Sequence, residues 1–187
     1  LLNSLVAVLQ YVHSFKVIHR DIKPANIVQG KDAGQASLML VDFGAAKWIG
    51  QTVGKTVIGS AGYAAPEQSM GQATFASDIY SLGLTCLHLL TGLHPFELYS
   101  AAEDRWVWQD YLPTPVSPQL AQVLDKMVVR SLQTRYATMA EVATDLKVAK
   151  RSQLSGARQL LERAKDSVLP LQSVLEGGSL TAALQKL

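Results

Sequence analysis

His19-Arg20-Asp21-Ile22-Lys23-Pro24-Ala25-Asn26 is the most informative run in this 187-residue chain. It places an imidazole, a carboxylate, two cations and a carboxamide within eight positions, and Asp42-Phe43-Gly44 follows sixteen positions after Asn26. Together these residues answer the demands of phosphoryl transfer, which asks a protein to hold an alcohol, a γ-phosphoryl group and Mg²⁺ in line while charge on the phosphate oxygens is neutralised. Asp21 can accept a hydrogen bond from the incoming hydroxyl, orient it and take its proton late. Lys23 supplies a point charge for the γ-phosphate. Asn26 and Asp42 are hard oxygen donors of the kind Mg²⁺ selects, and nucleotide-bound Mg²⁺ commonly needs only one or two protein ligands.

Outward from this stretch, the pattern is mainly helical. Leu2, Leu5, Val6, Leu9 and Val12 recur at helical spacing, so a helix delivers the catalytic loop through Val17-Ile18. On the other side, Ile27-Val28 and Leu38-Met39-Leu40-Val41 are β-type runs separated by Gly30, Asp32 and Gly34, which predicts a small hairpin with Asp42 at its end. Residues 45–64 carry Gly50, Gly54, Gly59 and Gly62 without a sustained period and read as a long exposed loop beside the site. Asp78 to Leu90 is the most apolar helix candidate and ends at Thr91-Gly92 ahead of Pro95. Further helices are expected at about Ser117 to Arg130 and from Thr138 to Lys147, the latter capped by Thr138 with Glu141 three residues on. The composition changes near residue 149, after which Leu154, Ala157, Leu161, Ala164 and Val168 form one stripe before Pro170 and Gly177-Gly178. That stripe is too short for a coiled coil and is expected to pack on the preceding domain.

Bulk properties narrow the partners. With 48% hydrophobic residues the chain can bury one sizeable core. Seventeen Lys and Arg stand against fifteen Asp and Glu with no long basic run, which argues against nucleic acid as a partner. The single cysteine, Cys86, cannot form an internal disulfide and reads as a buried small hydrophobe, in keeping with a reducing, cytoplasmic compartment. The longest apolar stretch, Ser81 to Leu93, is too short to span a bilayer.

The order and spacing of the motifs carry a resemblance. His-Arg-Asp, Lys two and Asn five positions after the Asp, a hairpin, Asp-Phe-Gly, a loop and Ala65-Pro66-Glu67 match the protein-kinase signature set. Residues 1–148 resemble the C-terminal lobe of a eukaryotic-type Ser/Thr protein kinase, with residues 149–187 as a helical extension. Asp-Phe-Gly-Ala-Ala-Lys, Ala-Pro-Glu-Gln and the aromatic run Trp106, Trp108, Tyr111 resemble bacterial, notably cyanobacterial, members. The resemblance implies ATP and Mg²⁺ as cofactors and Ser/Thr side chains of proteins as acceptors. It makes Asp21 and Lys23 catalytic, assigns Lys23, Asn26 and Asp42 to the nucleotide and its metal, and sets Ser60, where the family usually has Thr, against the catalytic Asp and Lys. Glu67 is expected to pair with Arg135 inside the lobe, Asp78 to brace the backbone of the catalytic loop beside His19, and Arg20 to receive a phosphate from Thr52 or Thr56.

No Gly-rich phosphate loop or Lys-bearing strand lies between Leu1 and His19. The chain therefore reads as cut within a domain whose N-terminal lobe is absent, leaving an exposed upper face and little or no activity for the isolated fragment. Two other classes remain beside an active protein kinase: a pseudokinase-like binding module, and a small-molecule phosphotransferase, which would have no use for the segment from Gly59 to Glu67.

Overall fold

The computed structural model describes residues 2–32, 35–49, 59–152 and 154–155. The chain forms two compact units, Leu1–Lys147 and Val148–Leu187. Among its described residues the first is mostly helical with three small sheets.

Helix α1 (Leu2–Ser14) buries Leu5, Val6, Leu9 and His13, one face of a 3.6-residue repeat. It leads into β1 (Val17–Ile18) and then the His19–Asn26 stretch, which closes in a single 3₁₀ turn at Pro24–Asn26. Strands β2 (Ile27–Asp32) and β3 (Gln35–Leu40) pair antiparallel, with Ile27 opposite Leu40 and Val28 opposite Met39. Because strand side chains alternate, Leu40 enters the core while Val28 and Met39 face out together, 41% and 47% exposed. The hairpin is longer than the two short runs suggested.

Two further pairings correct the expectation of a single hairpin. β4 (Lys47–Trp48) lies within the segment read as an exposed loop, yet it pairs with β1. A two-residue strand carries almost no sequence period, so only its partner makes it visible. The remaining part of that segment, 50–58, lies outside the described residues. Farther on, β5 (Tyr99–Ser100) and β6 (Arg105–Trp106) form a short hairpin that the aromatic run alone did not disclose.

Helix α2 (Pro66–Ser69) is a single turn, and α3 (Phe75–Thr91) is the centre of the unit. Every α3 residue from Ala76 to Leu87 is buried, so the helix is packed all round rather than on one stripe. Its end is set by Gly92 at φ 73°, a left-handed conformation that glycine adopts without Cβ strain. Gly83 lets α4 (Pro118–Met127) approach, since a Cβ there would lie 2.7 Å from Val128 Cγ1. Helix α4 starts where Ser117 Oγ accepts from Leu120 N at 3.2 Å, with Pro118 in its first turn. It stops at Met127, short of the expected Arg130. Residues 139–147 are helical, and Thr138 and Glu141 form the expected capping contacts. The core joins Leu5, Leu9, Ile22, Ile79, Leu82 and Trp108, each such side chain contributing about 1.5–3 kcal/mol by burial. Cys86 belongs to it, and burial pushes its thiol up to about 12.

In the second unit residues 148–152 and 154–155 are helical. The stripe from Ala157 to Val168, Pro170 and Gly177-Gly178 lie outside the described residues.

Candidate active site

The backbone of the His19–Asn26 stretch is held from below by a buried carboxylate. Asp78, fully buried in the first turn of α3, accepts from His19 N at 2.8 Å, Arg20 N at 2.9 Å and His13 Nε2 at 2.9 Å. Three donors satisfy a charge that would otherwise be costly to bury. These contacts help fix Arg20 in the left-handed region, at φ 68°. Its carbonyl oxygen accepts from Gln68 Nε2 at 2.6 Å. Gly59 stands beside this amide at φ 146°, where a Cβ would fall 2.4 Å from Gln68 Nε2.

His19 links the two halves of the site. Its Nε2–H donates to Val41 O at 3.2 Å, which leaves Nδ1 as the acceptor for Asp21 N at 3.3 Å. That assignment requires a neutral ring, and desolvation by burial holds the imidazole below its usual pKa despite the nearby Asp78. Phe43 meets His19 edge-on, with ring centroids 4.5 Å apart.

Asp21 is the most heavily hydrogen-bonded side chain of the loop. Its Oδ1 accepts from Ser60 Oγ at 2.7 Å, and its Oδ2 accepts from Lys23 Nζ at 2.9 Å and Asn26 Nδ2 at 3.0 Å. Lys23 Nζ also donates to Ser60 Oγ at 2.7 Å, so Asp21, Lys23 and Ser60 form a closed triangle. Burial pushes the Asp21 carboxyl up, but the bonds from Ser60, Lys23 and Asn26 outweigh it and hold the group below the usual carboxylate range. It is therefore ionised at neutral pH. A carboxylate offers about four acceptor positions, and three are occupied here.

Asn26 is buried and its Nδ2 bonds both the carbonyl and the carboxylate of Asp21, at 2.8 Å and 3.0 Å. Its Oδ1 meets no partner among the described residues. Asp42 sits at φ 63° at the end of the hairpin and accepts from Gly44 N through Oδ1 at 3.2 Å, leaving Oδ2 unengaged among the described residues. Both free atoms are oxygen acceptors, the donor type that suits Mg²⁺. Val28, Met39 and Phe43 add half-exposed apolar surface contributed by the same hairpin and turn. Motifs do not single out Val28 and Met39, because Leu38-Met39-Leu40-Val41 is apolar throughout and only the structure shows which side chains face out. Nor do they single out His13 and Gln68, for which no sequence spacing gives a clue.

Farther down, Arg135 is buried and forks onto Glu67, at 2.7 Å and 3.3 Å. Ser77 Oγ completes Glu67 at 2.7 Å, and the carbonyls of Ala76, Val129 and Arg130 take the remaining guanidinium donors. Such a pair holds position well when every polar atom is satisfied, and breaking it strands a buried charge. Arg20 donates through Nε to Ala45 O, tying the His19–Asn26 stretch to the segment after Gly44. Thr52 and Thr56 lie outside the described residues.

Residues 1–146 match the protein kinase domain family. The chain belongs to that family. Among curated protein kinases it is 38% identical over 158 residues to serine/threonine-protein kinase F of Synechocystis sp., covering 81% of this chain and 31% of that protein. It is 38% identical over 157 residues to serine/threonine-protein kinase PknA of Nostoc sp., covering 79% of this chain and 27% of the relative. Against serine/threonine-protein kinase PknB of Mycolicibacterium smegmatis the identity is 35% over 170 residues, 84% of this chain and 27% of the relative. The chain thus spans roughly three-tenths of the length of the curated kinases it matches. No helix among the described residues is long and apolar enough to cross a membrane.

Proposed function

We propose that this chain supplies the catalytic half of a Ser/Thr protein kinase, with residues 1–148 as the C-terminal lobe and 149–187 as an extension. The reading rests above all on Asp21, an ionised carboxylate with three of its four acceptor positions occupied by Ser60, Lys23 and Asn26. The fourth position receives the hydroxyl of a protein Ser or Thr and orients its oxygen for attack; Asp21 takes the proton late. Lys23, fixed on Asp21 and Ser60, places its positive charge beside the transferring group. Oδ1 of Asn26 and the free oxygen of Asp42 would hold Mg²⁺, and Val28 and Met39 offer an apolar ledge for the base of ATP. Bound Mg·ATP supplies the phosphoryl group and neutralises charge on it.

In this family an N-terminal lobe covers the nucleotide, and on this reading residues 1–148 work together with such a lobe. Ser60 favours a protein acceptor over a small molecule, because it ties the Gly59–Glu67 segment directly to Asp21. The guanidinium ends of Arg20 meet no partner among the described residues, which suits a loop phosphate carried by Thr52 or Thr56. The site of action is cytoplasmic, in line with a single, buried, free cysteine.

The test uses the protein as its gene encodes it, with Mg·ATP and a mixed Ser/Thr protein substrate. Phosphate appears on Ser and Thr, and Asp21→Asn lowers the rate about 10²–10⁴-fold with unchanged thermal stability. Peptide binding without any transfer by the wild-type protein would instead identify a binding module.

A further inference from the structure

Tyr63, His88 and His94 form a cluster of titratable rings that the phosphoryl-transfer reading leaves unused. The Tyr63 hydroxyl lies 2.7 Å from His88 Nδ1, and His94 meets the Tyr63 ring edge-on with centroids 5.5 Å apart. The two imidazoles stand 6.1 Å from each other, centroid to centroid. His88 belongs to α3, whereas His94 caps the 3₁₀ turn Pro95–Glu97.

Tyr63 connects this cluster to the candidate active site. Its N–H donates to Ser60 O at 3.1 Å, and Ala64 N donates to the same oxygen at 3.2 Å. Ser60 Oγ in turn donates to Asp21 at 2.7 Å. From α3, Ser81 Oγ donates to Tyr63 O at 2.9 Å. His94 also touches the segment directly: Gly62 lies against its ring at φ 88°, where a Cβ would fall 2.5 Å from His94 Cε1. The ring and the segment are packed without slack, so a shift of one displaces the other.

The arrangement suits a neutral His94. Phe96 N–H donates to its Nδ1 at 3.4 Å, so that nitrogen carries no hydrogen and the proton of the neutral ring sits on Nε2. A second proton would set N–H against N–H at this contact and place a positive charge beside His88. The titratable groups that meet the two imidazoles are Tyr63, each other and Glu97. Glu97 is exposed, and its Oε2 accepts from the backbone N–H of His94 at 3.0 Å rather than from the ring. Imidazole ordinarily gains its proton within the physiological range of pH.

We infer that His94 is a positioning residue for the Gly59–Glu67 segment and that its protonation loosens this segment, so that Ser60 holds Asp21 less firmly as the pH falls below neutrality. Only the consequence for transfer rests on the kinase reading.

Hydrogen exchange on the gene-encoded protein tests this at about pH 7.5 and about pH 6, with rates corrected for the intrinsic pH dependence of amide exchange. Protection of peptides covering Tyr63 and Ala64 falls about tenfold at the lower pH. In His94→Asn, whose carboxamide can accept from Phe96 N but takes up no proton, protection changes by less than about twofold. His94→Gln serves as a second uncharged variant. Protection independent of pH in the wild-type protein, or a tenfold loss that persists in both variants, overturns the inference. Peptide phosphorylation is measured separately. Its kcat/KM falls more steeply with pH in the wild-type protein than in the variants, and equal steepness overturns the positioning role. A pH-dependent segment in a protein that transfers no phosphate leaves the His94 assignment standing and removes the kinase reading.

Discussion

Asp78 and Asp42 are both carboxylates placed by the motif-bearing segments, yet their surroundings are opposite. Asp78 is fully buried and meets three donors, whereas Asp42 is exposed and meets one backbone N–H. Asp78's lone pairs are largely committed to holding His19, Arg20 and His13 in place. Asp42 keeps an oxygen free on a turn whose geometry the hairpin fixes. The charge that is satisfied from within shapes the loop, and the charge left partly unsatisfied is the one available to a ligand. Asp21 stands between them, with 14% of its side chain exposed and one acceptor position open.

The contrast is broken most sharply by substituting the two residues in turn. Asp78→Ala leaves two buried backbone N–H groups without acceptors and is expected to cost about 3–5 kcal/mol in denaturant unfolding. Asp42→Asn keeps a residue tolerant of the left-handed conformation, changes stability by less than about 0.5 kcal/mol, and removes transfer activity. Comparable stability losses in the two variants would erase the distinction between a brace and a ligand.

A smaller effect is expected at Ser60, which belongs to both the Asp21–Lys23 triangle and the Gly59–Glu67 segment. Ser60→Ala removes a hydrogen bond to a charged group and slows transfer by about tenfold or more, while Ser60→Thr retains the hydroxyl and most of the rate. Steady-state kinetics on one peptide distinguishes them, and equal losses in both variants would show that the hydroxyl is not what matters.

The smallest effect is a slope. The fold holds His19 neutral with its pKa below the usual 6.5, so the unfolded chain binds the proton more readily. The stabilisation is fully present above about pH 6.5 and is lost as the pH falls through the lowered folded value. Denaturation midpoints should therefore drop between neutral pH and pH 5, and His19→Gln should flatten that dependence. An unchanged slope would mean that another group dominates.

Much of the site was legible because it is local. Asp21, Lys23 and Asn26 lie within six positions, and a single 3₁₀ turn suffices to return the Asn26 amide to the Asp21 carboxylate. The α3 helix was legible for a different reason: a long apolar run closed by Gly92 leaves few alternatives. β4 and the β5–β6 hairpin were not legible, because strands of two residues exist only through their partners. His13 was equally silent, since its role depends on where α3 brings Asp78, sixty-five positions later.

The helical framework, the hairpin and the chemical types gathered at the candidate site follow from period, punctuation and short-range spacing, all of which a linear sequence carries. Which of these groups are satisfied and which are open is settled by packing in three dimensions. Burial, the Asp78 brace and the Ser60 bridge all depend on contacts between segments distant in the chain, and hydrogen-bond satisfaction is a property of those contacts rather than of any residue alone.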